Sequence, residues 1–147
     1  MKSVEIVSIC FIIVALSVLS FEDVRHKKVR MLHFLYMCPI AIITALLNIL
    51  YEKISIYEIG LGLGMVGAIA IVAKVSKGLG MADIITMLMV GIVCGGERLF
   101  LGITISLLLV YGLAIIMMFR RKLNKYTTFP YIPFLNAGML CVILQGF

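Results

Sequence analysis

Six stretches of nearly uninterrupted apolar residues, each bounded by charge, decide what this chain can fold into. They are Val4–Phe21, Met31–Tyr51, Ile54–Ala73, a short one at Ile84–Cys94, Leu99–Phe119 and Tyr131–Phe147, the last preceded by Pro130. As helices, the runs of 18 to 21 residues cross a hydrocarbon layer of ~30 Å at ~1.5 Å per residue. The fourth run is shorter and predicts a helix shielded by its neighbours, ended by Gly95-Gly96. Nothing alternates with a period of two, and an open sheet edge cannot face lipid, so strands are excluded. Composition agrees. Of 147 residues, 63% are hydrophobic and 14% charged, where soluble domains run to roughly half and a quarter. A mean hydropathy of +1.19 rules out a disordered tail, a disulfide scaffold and an ordinary cytosolic enzyme. The expectation is an all-α bundle of six transmembrane helices, a single domain over residues 1–147.

The net charge is +6, from 13 Lys and Arg against 7 Asp and Glu. In a soluble protein such an excess suggests nucleic acid, which requires a continuous basic face with polar or aromatic readers. These charges instead sit in short clusters between apolar runs, so no nucleic-acid partner is expected. Arg25, Lys27, Lys28 and Arg30 follow the first run, Lys74 and Lys77 the third, and Arg120, Arg121, Lys122 and Lys125 the fifth. That places ten basic residues on one side against three, Lys2, Lys53 and Arg98, on the other. The positive-inside rule predicts both termini outside and connections one, three and five in the cytoplasm. Ala15-Leu16-Ser17 looks like a leader cleavage site. The positive charge follows the apolar run, however, and Glu5 stands where a basic n-region belongs, so a retained first span is expected.

Most chemistries find no footing. Cys10, Cys38, Cys94 and Cys141 lie singly inside apolar runs, whereas zinc sites need clustered ligands; the expectation is packing, with no metal and no cofactor. His26 and His33 bracket a basic connection with no third ligand beside them and read as solvated loop residues. No Ser or Cys has a His–carboxylate partner on its own side of the membrane, so a nucleophilic triad is unsupported. Gly78-Leu79-Gly80 lacks the Gly-Lys-Ser/Thr of a phosphate loop. Gly60, Gly64 and Gly67 in the third run, and Gly91 and Gly95 in the fourth, form small-residue stripes expected to let helices approach within the bundle.

The carboxylates are more telling. Glu22, Asp23 and Asp83 are the only acidic residues on the side with ten cations. Asp23 closes the first span and Asp83 opens the fourth, so the topology puts both at one depth on one face of the membrane. Two readings are open on position alone. Asp83 stands where an N-cap belongs, and Asp23 could pair with Arg25 at the headgroup boundary. Alternatively, the two form a hydrolytic dyad, in which close carboxyls cannot both ionise and one stays protonated while the other acts as base.

Three segments carry a resemblance. Asp23-Val24-Arg25 precedes a basic run; Gly80-Met81-Ala82-Asp83 leads into a helix; and Phe129-Pro130-Tyr131-Ile132-Pro133-Phe134-Leu135 opens the last span. Together they resemble the type IV prepilin peptidase family, aspartic membrane peptidases named for a GxGD motif, whose last span starts with an IPFGPFL-like segment. Ala82 stands where the motif usually has glycine, Ile85 where a lysine is common, and Val29-Arg30-Met31 where Ile-Pro-Asn is frequent. The chain is similar to the short, peptidase-only branch. The resemblance implies Asp23 and Asp83 as the catalytic pair, supported by Gly80 and Ala82, with Arg25, Pro130 and Pro133 on the substrate side. It also implies a prepilin-like or pseudopilin substrate, cut at the cytoplasmic face of the plasma or inner membrane. Pro130 and Pro133 lack N–H groups, which predicts an irregular start to the last span, either a wall beside the site or a plain helix beginning. A silent assembly protein of the same fold and a proton-coupled transporter are the other two classes. A relay would need more ionisable residues within the spans than Glu58.

Overall fold

The computed structural model describes residues 2–26, 31–51, 53–76, 79–119 and 130–145, with the side chains of residues 2–5 and 76 outside the description. Six helices follow one another: α1 Lys2–His26, α2 Met31–Leu50, α3 Ile56–Ser76, α4 Met81–Cys94, α5 Gly96–Phe119 and α6 Ile132–Leu144. The basic connections at Lys27, Lys28 and Arg30, at Lys77 and at Arg120–Lys125, together with Phe129, lie outside the described residues. The fold is all-α, as expected. α1, α2, α3 and α5 are long and apolar enough to cross a membrane, while α4 and α6 are shorter apolar helices.

The two short helices hold the middle of the bundle. One side of α4 is buried from Thr86 to Cys94, and the helix packs against α1, α2, α3 and α5. α6 lies between α1 and α5 and buries Ile132, Leu135, Met139 and Val142 almost completely. Ile132, Leu135 and Met139 meet Ile12, Leu16 and Leu19 of α1, Val90 and Val93 of α4 and Leu99 of α5 in one core. The outer surface is apolar as well: Leu35, Ile56, Val75, Leu108 and Phe119 are each more than 60% exposed. In water such a surface would drive aggregation; in lipid it is the solvated face. The chain is a membrane protein.

Glycine fixes the helix spacing, though not at every position the sequence suggests. A Cβ on Gly62 would lie 3.1 Å from the carbonyl oxygen of Gly91, so α3 and α4 touch backbone to backbone. Gly96 faces the same junction, where a Cβ would come within 2.7 Å of the Gly62 nitrogen. Gly60, Gly64 and Gly67 have nothing within 4 Å of a built Cβ. That expected stripe therefore faces outward, and the packing glycines of α3 and α4 are Gly62 and Gly91. Gly95, at φ +85°, is the single residue that breaks α4 from α5, a backbone angle that suits glycine.

Within the apolar interior, Ser8 Oγ donates to Asn48 Oδ1 at 3.0 Å, and Asn48 Nδ2 donates to the Val93 carbonyl at 3.1 Å. This polar ladder ties α1, α2 and α4 together.

Candidate active site

α1 does not stop with its apolar run. No helix breaker occurs in Phe21-Glu22-Asp23-Val24-Arg25-His26, and Arg25 and His26 suit the negative end of the helix, so it continues to His26. The extension carries two adjacent carboxylates, each 9% exposed, into the interior. Successive helical residues diverge by ~100°, and the pair divides accordingly. Glu22 turns to α2, where its Oε2 lies 2.9 Å from His33 Nδ1. His33 is thus a residue of the first turn of α2 with an acidic partner, not the solvated loop residue expected from the sequence. Asp23 turns to α6 and takes a backbone hydrogen bond from Ile132. Its Oδ2 is buried with no hydrogen-bond partner among the described residues.

Asp83 reaches the same end of the bundle from the opposite chain direction. The N-cap of α4 is Gly80, in extended backbone, and Asp83 is the third helical residue rather than the cap. Its Oδ2 accepts the Gly80 N–H at 3.0 Å, half of a capping box. A Cβ at position 80 would sit 3.3 Å from that oxygen, so glycine leaves the carboxylate room to fold back. Ala82 packs against the core from the same turn, and its carbonyl accepts the Thr86 hydroxyl at 2.7 Å.

The two carboxylates lie close enough for their charges to act on each other. Each is held by one N–H at a helix N-terminus: Asp83 by the start of its own helix, Asp23 by the start of α6. Such ends carry partial positive charge and unpaired donors, and they hold anions without a cationic side chain. Among the described residues no ion pair links Asp23 to Arg25, which is exposed on the last turn of α1. Helix lengths add depth to the picture. With 14 and 13 residues, α4 and α6 rise only about 20 Å, whereas α1 and α5, with 25 and 24 residues, exceed 35 Å. Both aspartates are thus capped at the starts of helices shorter than their neighbours.

The segment before α6 completes the site. Regular helix begins at Ile132, with Pro133 inside its first turn; the irregular stretch expected at both prolines is confined to Pro130 and Tyr131. Both prolines are half-buried and flank Tyr131-Ile132. Ile132 bonds Asp23, and the Tyr131 phenol lies within reach of the Asp83 charge and 2.7 Å from Ser106 Oγ. Sequence reasoning singled out this segment for its prolines and missed Tyr131, the Ile132 amide and Ser106. The one clue was Ser106 itself, the single serine of α5.

Among the described residues no three His, Cys, Asp or Glu side chains come together as a metal site. A cavity of about 190 Å³ lies at the other end of the bundle, lined by Lys53, Glu58, Cys94, Glu97 and Arg98 among others, far along α4 from Asp83. The aspartate end instead holds two carboxylates of unequal surroundings, each within reach of the other's charge.

A model of the type IV leader peptidase family matches residues 10–117, a stretch that takes in both aspartates and ends before α6. No curated protein and no solved structure matches the chain.

Proposed function

The chain belongs to the type IV leader peptidase family, and we propose that it is a membrane aspartic endopeptidase that removes the basic leader of prepilin-like proteins at the cytoplasmic face. What supports this reading, beside the family match, is that Asp23 and Asp83 come from different helices to within reach of each other's charge, each with a backbone N–H donor. In this reading α1, α2, α3 and α5 cross the layer in full, the shorter α4 and α6 complete six passes with ends lying inside it, both termini face outside and the aspartates face the cytoplasm, in line with the ten-to-three division of Lys and Arg.

In this mechanism the dyad holds one proton. The ionised carboxylate takes a proton from water as its oxygen bonds to the scissile carbonyl carbon, and the protonated carboxyl donates a hydrogen bond to the carbonyl oxygen. Collapse of the tetrahedral intermediate breaks the C–N bond, and a dyad proton passes to the leaving amine. One water is consumed, and the dyad returns to its starting state. A prepilin-like substrate presents a basic leader followed by an apolar helix, so it can enter from the lipid, between helices. Arg25, Pro130 and Pro133 border its path. The cationic connections do not attract a basic leader; they orient the bundle and contact anionic lipid.

The test is cleavage of a prepilin-like protein by the purified chain in detergent or vesicles, read as loss of the leader. An uncut substrate under conditions where the bundle remains folded would favour the silent assembly protein instead.

A further inference from the structure

The Ser106–Tyr131 contact lies one residue from the amide that holds Asp23, and it has a definite hydrogen-bond direction. Ser106 is completely buried in α5. Its Oγ lies 2.7 Å from the Ile103 carbonyl oxygen and 2.7 Å from Tyr131 Oη. A carbonyl only accepts, so the single serine hydrogen is committed to Ile103. Tyr131 must then be the donor in the second bond. Its one proton is spent on Ser106, leaving the phenol no hydrogen for a substrate oxyanion. In this arrangement the phenol is turned to α5, and its role is mechanical.

The mechanics follow from the start of α6. Pro133 has no N–H, and the amides of Phe134 and Leu135 bond back to the Tyr131 carbonyl at 3.0 and 3.1 Å. In that turn Ile132 supplies the N–H for Asp23, and its side chain is fully buried. Tyr131 is the residue from which the turn is hung. Below it, α5 and α6 are in backbone contact: a Cβ at Gly138 would lie 3.1 Å from the Ser106 nitrogen. The Tyr131 phenol is therefore anchored beside the close backbone approach of α5 and α6 at Gly138.

We propose that Ser106 and Tyr131 act as one positioning unit of the peptidase site, a strut from α5 that fixes the first amide of α6 against Asp23. This inference rests on the peptidase reading for its effect on turnover, while the strut itself is measurable without any reaction.

Four variants test it, Ser106→Ala, Ser106→Thr, Tyr131→Phe and the double Ser106→Ala/Tyr131→Phe, with Asp23→Asn as the reference for a dead dyad. Misplacing a catalytic group by a fraction of an ångström to an ångström costs on the order of ten- to a hundredfold. Ser106→Ala and Tyr131→Phe should each lower kcat by about that factor with KM little changed, and the double variant should be no worse than either single one. Ser106→Thr, which keeps the hydroxyl, should retain most of kcat. Hydrogen exchange at the Ile132 amide should accelerate in Ser106→Ala and Tyr131→Phe but not in Ser106→Thr. Full kcat in Ser106→Ala beside an inactive Asp23→Asn would overturn the strut and leave the peptidase reading standing. An active Asp23→Asn would overturn the peptidase reading alone. In that case unchanged Ile132 exchange in Ser106→Ala would overturn the strut too, and faster exchange would uphold it.

Discussion

Asp83 bends back onto the amide of Gly80, three residues before it, with its Oδ2 3.0 Å from the glycine nitrogen. The bond closes the first turn of α4 and fixes one carboxylate oxygen. It also separates structure from chemistry at this residue. Asparagine can accept the same N–H, whereas alanine cannot. Asp83→Ala should therefore lower stability by about 1 kcal/mol, the usual worth of such a helix-start bond, while Asp83→Asn should unfold close to the wild type. Thermal unfolding in detergent is the check.

The glycines of α3 and α5 separate into packed and open positions. Gly96→Ala would drive a methyl group against the Gly62 backbone, an overpacking that costs about 1–3 kcal/mol where neighbours cannot yield. Gly64→Ala meets open space and gains helix propensity, so it should be neutral or slightly stabilising. Melting temperatures of the two variants should fall on opposite sides of, or at least unequally below, that of the parent. Equal losses would contradict the packing described.

Asn48, only 2% exposed, bridges Ser8 of α1 and the Val93 carbonyl of α4. Asn48→Ala removes both hydrogen bonds from this buried contact, at a cost of about 1–3 kcal/mol. Asn48→Gln should recover little, since one extra methylene moves both ends of the amide. Unfolding midpoints of the three proteins measure this directly.

Orientation has its own test. In a background free of Cys10, Cys38, Cys94 and Cys141, single cysteines at Lys27, Lys77 and Lys122 should react with membrane-impermeant thiol reagents only from the cytoplasm. A cysteine at Lys53 should react only from outside. Outside labelling at any of the first three positions would reverse the proposed topology.

How much of this was legible in the sequence depends on the range of the interactions. The helices were legible because apolar runs closed by charge are a local property, but their ends shifted by up to five residues, as at Met81 for α4, Gly96 for α5 and His26 for α1, where helix continues through polar residues. Asp23 and Asp83 stood out because carboxylates are scarce on a cationic side. The facing of glycines was not legible: Gly60, Gly62 and Gly64 are equivalent in composition, and only the packing of α4 and α5 against one face decides that Gly62 is enclosed. Nor could spacing reveal that Glu22 meets His33, or that Tyr131 reaches Ser106 twenty-five residues away. These pairs are set by helix rotation, which no single run records.

The dyad itself is tested most directly by cleavage with the purified Asp23→Asn and Asp83→Asn proteins on a prepilin-like substrate. Asparagine keeps the shape and accepts the same N–H, so both bundles should fold, yet neither can pass a proton as a carboxyl does. Each single variant should lose leader cleavage essentially completely, and the double variant should be no worse, as expected of two groups that act as one unit. Normal cleavage by folded Asp83→Asn protein would contradict it.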